Sequence, residues 1–161
     1  MQNSGERITV LANLSEILLE YTHLSKEYER TLHNYGLQEA FGLEIMFNHM
    51  EIHVLSAIAE TPGIAAQDLA ARFYRTKSAI SHMIKFFVKY KLIIKQENPL
   101  NARINNLYIT DIGRVAVENH AQHEAKIFQK LLPDYEEFSV EDLETTYKAI
   151  QIFMQAFKNS L

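Results

Sequence analysis

Between Thr61 and Thr110 the chain reads TPGIAAQDLAARFYRTKSAISHMIKFFVKYKLIIKQENPLNARINNLYIT. Pro62-Gly63 interrupts any regular element, and the spacing of Ile64, Leu69 and Phe73 then puts three apolar side chains on one face of a short helix over Gln67–Phe73. Thr76 is a good N-cap, because its hydroxyl can accept from backbone amides two or three residues on, and it opens a second helix running to about Lys91. Ile80, Ile84, Phe87 and Val88 form the inward face of that helix, while Lys77, Ser78, Ser81, His82, Lys85 and Lys89 face outward. Leu92, Ile93 and Ile94 then begin a strand. Gln96 to Asn105 make a polar tip around Asn98-Pro99, and Asn106 to Thr110 return as the second strand.

Two short helices, a turn and a hairpin in this order are the layout of a winged helix-turn-helix, and the expected partner is double-stranded DNA. Short donors belong where a recognition helix meets base edges, which selects Ser78, Ser81 and His82. Long cations suit phosphates, which selects Lys77, Lys85, Lys89 and the wing residue Lys95. Arg103 at the wing tip is placed to enter a narrow minor groove or clamp a phosphate. Arg75 and Thr76 at the helix entry and Asn101 in the wing complete the expected DNA-contacting set.

The overall charge of −4 argues against a nucleic-acid partner, but the distribution reverses that impression. From Glu60 to Val115 nine basic residues face four acidic ones, a local net of +5, and the remainder carries seven basic against sixteen acidic, a net of −9. Positive charge is therefore concentrated on the presumed DNA-reading segment, and the acidic flanks would repel DNA that strayed onto them.

Those flanks read as long helices. Ile8 to about Leu32 repeats Leu11, Leu14, Leu18, Tyr21, Leu24 and Tyr28 at steps of three or four. Asp111 to Leu132 makes another, ended by Pro133. A third begins at Ser139-Val140-Glu141-Asp142, a box-like N-cap with Phe138 and Leu143 at staple positions, and carries Tyr147, Ile150, Phe153, Met154 and Phe157 on its stripe. Long apolar stripes at both chain ends leave surface that a small central module cannot cover. A second copy would cover it, and a two-fold dimer would present two recognition helices one DNA turn apart, about 34–36 Å. The expectation is one 161-residue unit of mainly α class, with a winged helix over 49–111 carrying one small β-hairpin wing. Residues 1–48 and 112–161 would be its N- and C-terminal dimerisation helices.

Over nearly its whole length the chain resembles the multiple-antibiotic-resistance-regulator (MarR) family. QDLAARF corresponds to the family's supporting helix, TKSAISHMIKFF to its recognition helix, and ENPLNARINNLYIT to its wing and the threonine that starts the next helix. The resemblance implies a homodimer with intertwined terminal helices that binds a pseudo-palindromic operator. Three positions depart from the family pattern. Asn101-Ala102-Arg103 replaces an Asp-x-Arg element, His82 stands where arginine is frequent, and Lys91 stands where glycine closes the helix.

Regulation is less legible. The chain has no cysteine, so a thiol-based peroxide sensor is excluded. A small lipophilic or aromatic effector that releases a repressor from DNA is the expected signal, bound between dimerisation helices and DNA-reading module. His120 and His123 lie three residues apart on the helix after the wing, and His53 lies early in a helix capped by Asn48 and Glu51 with Phe47 and Ile52 as staple. Zinc sensors exist among proteins that resemble this chain, and a zinc-responsive reading would join these histidines with His23, Glu27 or His33, although buried imidazoles more often serve packing. No metal or cofactor site is assigned. Phe86 and Tyr90 at polar positions of the recognition helix leave open a protein-binding adaptor. No glycine-rich phosphate loop, nucleophile elbow or HExxH is present, which speaks against an enzyme. No apolar run reaches the roughly 18 residues that span a bilayer, and no signal peptide is discernible, so no membrane partner and a cytoplasmic location are expected.

Overall fold

The computed structural model describes residues 3–28 and 31–159. Seven helices and three short strands follow in the order α1 (Asn3–Tyr28), α2 (Leu37–Phe41), α3 (His49–Glu60), β1 (Ile64–Ala65), α4 (Ala66–Arg72), α5 (Lys77–Lys89), β2 (Ile93–Asn98), β3 (Asn101–Ile109), α6 (Asp111–Leu131) and α7 (Val140–Asn159). A 3-10 turn over Leu132–Tyr135 contains Pro133 and ends α6 where the proline removes a donor. Two compact units result, one of residues 26–124 and one of 1–25 with 125–161.

The larger unit is built around Phe47, Ile52, Leu55, Ile58, Leu69, Ile80, Phe87, Leu92 and Leu107, all buried. Each such side chain contributes roughly 1.5–3 kcal/mol by leaving water. Helix α3 starts at the expected box: Glu51 N donates to Asn48 Oδ1 and Asn48 N donates to Glu51 Oε2, both at 2.9 Å. Thr76 Oγ1 accepts from Ala79 N at 3.2 Å and opens α5. The turn preceding β2 forms without glycine. Lys91 adopts φ 57°, Leu92 N donates to Phe87 O at 2.8 Å and Lys91 N to Val88 O at 3.0 Å, a complete Schellman closure.

The sheet differs from expectation in two ways. It has three strands in the order β1-β3-β2, all antiparallel, because Ile64 and Ala65 pair with Leu107 and Asn106. A two-residue strand carries no periodicity to read. The wing strands also run farther toward the tip than their polarity suggested, with Gln96 opposite Asn106 and Glu97 opposite Asn105. Both faces of a projecting ribbon meet solvent, so its ladder forms without apolar alternation. Asn98 Oδ1 accepts from Leu100 N at 2.9 Å and makes the turn.

Thr110 ties wing to α6. Its hydroxyl donates to Lys91 O at 2.6 Å and accepts from Gly113 N at 3.2 Å, while its amide donates to Leu92 O at 3.0 Å. The smaller unit holds most of α1 and all of α7. Ser139 Oγ and Ser139 N donate to Asp142 Oδ2 at 2.6 and 2.9 Å and hold the exposed Asp142 carboxyl below its usual pKa, while Asp142 N donates back to Ser139 Oγ at 3.2 Å. Among the described side chains of α1 only Leu14 and Leu18 are half-buried, whereas Leu11, Tyr21 and Leu24 of the expected stripe and Ile8, Val10, Ile17 and Leu19 outside it are exposed; the Tyr28 side chain lies outside the described residues. The apolar surface of α1 is thus broader than one stripe. No described residue of α7 is buried. No described helix is long and apolar enough to cross a membrane.

Candidate nucleic-acid interface

Helix α5 advances about 100° per residue, so its sequence sorts into two arcs. Ile80, Ile84 and Phe87 are buried, as their spacing requires. Lys77, Ser78, Ser81, His82, Lys85 and Lys89 are exposed and fall within one arc of about 140°. Val88 falls in the same arc and is 39% exposed, so its assignment to the inward face is corrected. Its direction lies between Lys77 and Ser81, about 40° from Ile84 at the edge of the core stripe.

Phe86 and Tyr90 are also corrected, in the opposite sense. Both are half-buried, and Phe86 packs edge-on against Phe47 at 5.9 Å and Tyr90 at 5.1 Å between ring centroids. These aromatics join the core margin, which removes the feature that favoured a protein-binding adaptor.

A groove of about 270 Å³ separates α5 from the sheet, lined by residues that include Gln67, Lys77, Ser81, Lys95, Ile104 and Asn105. The fold thereby brings the wing's Lys95 to the same concavity as Lys77 and Ser81. Arg75 and Thr76 are exposed at the entry to α5, and Asn101 is exposed at the start of β3. Arg103 lies in β3, but its side chain is outside the described residues. Arg72 is diverted from this surface: its guanidinium donates to Glu60 Oε2 at 2.6 Å and lies 5.7 Å from the Phe73 ring centroid.

The histidines group differently from expectation. His120 is 3% exposed, and its polar neighbours are not His123 but Glu124 and His53, although both imidazoles touch the Tyr35 ring. Its Nε2 lies 3.5 Å from Glu124 Oε2, and Glu124 Oε1 lies 3.8 Å from His53 Nε2. His123 instead packs on His33 at 5.0 Å and on Tyr35 at 6.2 Å between centroids. A separation of three residues turns side chains about 60° apart on a helix, and the loop carrying His33 and Tyr35 fills the gap. That loop is braced by Asn34, whose Nδ2 donates to Leu43 O at 3.0 Å and Ile45 O at 2.6 Å. Glu124 escaped notice in the sequence, although its four-residue distance from His120 places both on one face. The Glu27 side chain lies outside the described residues.

Comparison with known proteins gives a consistent picture. Residues 47–104 match the sequence model described as MarR family. An uncharacterized HTH-type transcriptional regulator, YvnA of Bacillus subtilis (strain 168), is 27% identical over 95 residues, 59% of this chain and 60% of that protein. The chain thus matches about three fifths of that relative's length. Among solved structures, the MarR family transcription regulator SP03579 superposes with a TM-score of 0.68 at 20% identity, covering 99% of this chain and 97% of its own. Streptococcus pneumoniae FabT, solved in complex with DNA, gives 0.62 at 16% identity over 98% and 100%. At these identities the structures establish the fold.

Proposed function

We propose that the chain is a regulator of the MarR type, on the match of residues 47–104 to that family's model: a sequence-specific, double-stranded DNA-binding transcriptional regulator acting as a homodimeric repressor. The observation that carries this reading is the exposed polar arc of α5 facing the same groove as Lys95 of the wing. Residues 49–111 would be the DNA-reading module, and 1–48 with 112–161 the dimerisation region. FabT, a relative in fold, is known in complex with DNA, which supports the same partner here.

Within the interface, Ser78, Ser81 and His82 read base edges in the major groove, with Thr76 at the helix start. Arg75, Lys77, Lys85, Lys89 and Lys95 hold phosphates, and Asn101 and Arg103 bring the wing to the adjacent minor groove. The dimer is supported by the exposed apolar residues of the terminal helices, among them Ile17, Tyr21, Ile152 and Phe157, which a monomer would leave in water. Two recognition helices on one DNA face require a pseudo-palindromic operator. A chain that works on DNA shares its compartment, consistent with a cytoplasmic location.

Release by a small lipophilic or aromatic ligand is the regulatory part of the proposal. A cleft of about 310 Å³ in the larger unit, lined by Phe41, Leu43, Lys89, Tyr90, Lys91 and Ile112, offers apolar and aromatic surface for such a ligand.

The test is protection mapping on DNA upstream of the protein's own gene, followed by affinity measurements with two variants. Lys85→Ala is expected to weaken cognate and random DNA alike, and Ser81→Ala to erase most of the preference between them. A Lys85→Ala variant that altered only sequence preference would overturn this division of labour.

A further inference from the structure

Lys89 stands at the end of the exposed arc of α5, one turn beyond Lys85. Its ammonium lies over the Tyr90 ring, 5.0 Å from the centroid, within the range of a cation–π contact. Neighbours along a helix point about 100° apart and do not normally meet. This contact forms where α5 ends: Tyr90 is the C-cap, at φ −95° and ψ 11°, and Lys91 after it is left-handed. Repulsion from Lys85, four residues earlier, and the partial negative charge of the last carbonyls both favour the position over the helix end.

The ring that receives the ammonium is fixed from behind. Tyr90 is half-buried and packs edge-on against Phe86 at 5.1 Å between centroids, Phe86 meets Phe47 at 5.9 Å, and Phe47 is fully buried. Three aromatic rings thus run from the core to the surface and end under Lys89. Arg72 offers a contrast. Its guanidinium also lies near a ring, that of Phe73, but it donates to Glu60 as well. Among the described residues no carboxylate pairs with Lys89. A carboxylate would hold the ammonium and cancel the charge that a phosphate needs, whereas a ring face holds it and leaves the charge whole.

We propose that Tyr90 is a positioning residue for DNA binding, its ring presetting the Lys89 ammonium for a phosphate oxygen that arrives from the solvent side. The inference rests on the DNA-binding reading and adds to it a residue outside the expected contact set. A lysine side chain gives up much rotamer freedom when it is immobilised, and the ring restricts that freedom before DNA arrives. The ammonium carries three donors, so the ring face and a phosphate can be engaged together. The ring face carries the effect and the hydroxyl does not, so phenylalanine should serve as well as tyrosine.

The test measures affinity of the full chain for the DNA fragment upstream of its own gene by fluorescence anisotropy. Tyr90→Phe, Tyr90→Leu, Lys89→Gln and the double variant with Tyr90→Leu and Lys89→Gln are compared, each checked for folding by circular dichroism. Tyr90→Leu is expected to weaken binding about threefold per protomer, or about tenfold for a dimer, and Tyr90→Phe to stay within about twofold of the native chain. Lys89→Gln should make the salt slope shallower by about 2 for the dimer, and in that background Tyr90→Leu should add no further loss. Equal loss in both backgrounds would reveal a packing role only and overturn the proposal, as would no loss at all. A readout independent of the variants is the Lys89 methylene resonances of the native chain, which the Tyr90 ring current should shift upfield both free and on DNA. Unshifted resonances in the complex would also overturn it. A native chain that binds no duplex DNA refutes the proposed function itself, whereas binding without coupling between Tyr90 and Lys89 refutes this inference alone.

Discussion

Gly113 is the residue at which the joint between DNA-reading module and α6 is most exposed to a one-carbon test. A Cβ there would sit 2.3 Å from Leu92 O and 2.9 Å from Ile109 Cγ1. An ordinary contact needs about 3.5 Å, so the carbonyl must retreat by about 1 Å. It cannot do so freely, because Leu92 O accepts from Thr110 N at 3.0 Å and the adjacent Lys91 O accepts from Thr110 Oγ1 at 2.6 Å. Overpacking against backbone costs about 1–3 kcal/mol, and one weakened hydrogen bond adds about 1 kcal/mol. Replacing a helical glycine by alanine returns about 1 kcal/mol. Gly113→Ala is thus expected to destabilise by about 1–3 kcal/mol, a fall in thermal midpoint of roughly 2–12 °C for a chain of this size. Thermal unfolding followed by circular dichroism at the α-helical band measures it. A midpoint unchanged or raised would refute the steric argument, since helix propensity would then outweigh the contact.

Lys91 tests backbone strain with the opposite sign. Lys91→Gly relieves a left-handed conformation that costs an L-residue about 1–2 kcal/mol, and should stabilise by about 1 kcal/mol after the glycine's greater unfolded-state freedom is counted; a urea midpoint that falls would contradict this. In the wing, Arg103→Ala is expected to weaken specific DNA binding by about 1–3 kcal/mol without moving the thermal midpoint. An unchanged affinity and footprint would show that the wing does not touch DNA.

The parts of the molecule legible in sequence are those in which one local rule decides the outcome. Asn48, Thr76 and Ser139 cap helices because a side-chain acceptor next to orphan amides has few better options. The buried stripe of α5 follows from its period alone. What escaped the sequence depends on partners distant along the chain. Ile64-Ala65 becomes a strand only because β3 supplies an edge, and Phe86 and Tyr90 turn inward only because Phe47 offers a face. The wing's polar ladder extends beyond its apolar residues because its backbone hydrogen bonds are indifferent to side-chain polarity. His120 approaches Glu124 and His53, which reach it from its own helix and from α3, while His123 packs on His33 of a loop closed by its own antiparallel bridge to Phe47. Lys91 reached the glycine-type turn without glycine. There the hydrogen bonds of the closure outweigh the steric cost of a side chain.

The claim that α5 and the wing grip duplex DNA is tested most directly by the salt dependence of binding. The full chain is titrated onto the DNA fragment upstream of its own gene at a series of salt concentrations, with fluorescence anisotropy as readout. Arg75, Lys77, Lys85, Lys89 and Lys95 on each of two protomers make ten phosphate contacts, and log affinity should then fall against log salt with a slope of about −9. A slope near zero, or no binding to duplex DNA even at low salt, would contradict the account.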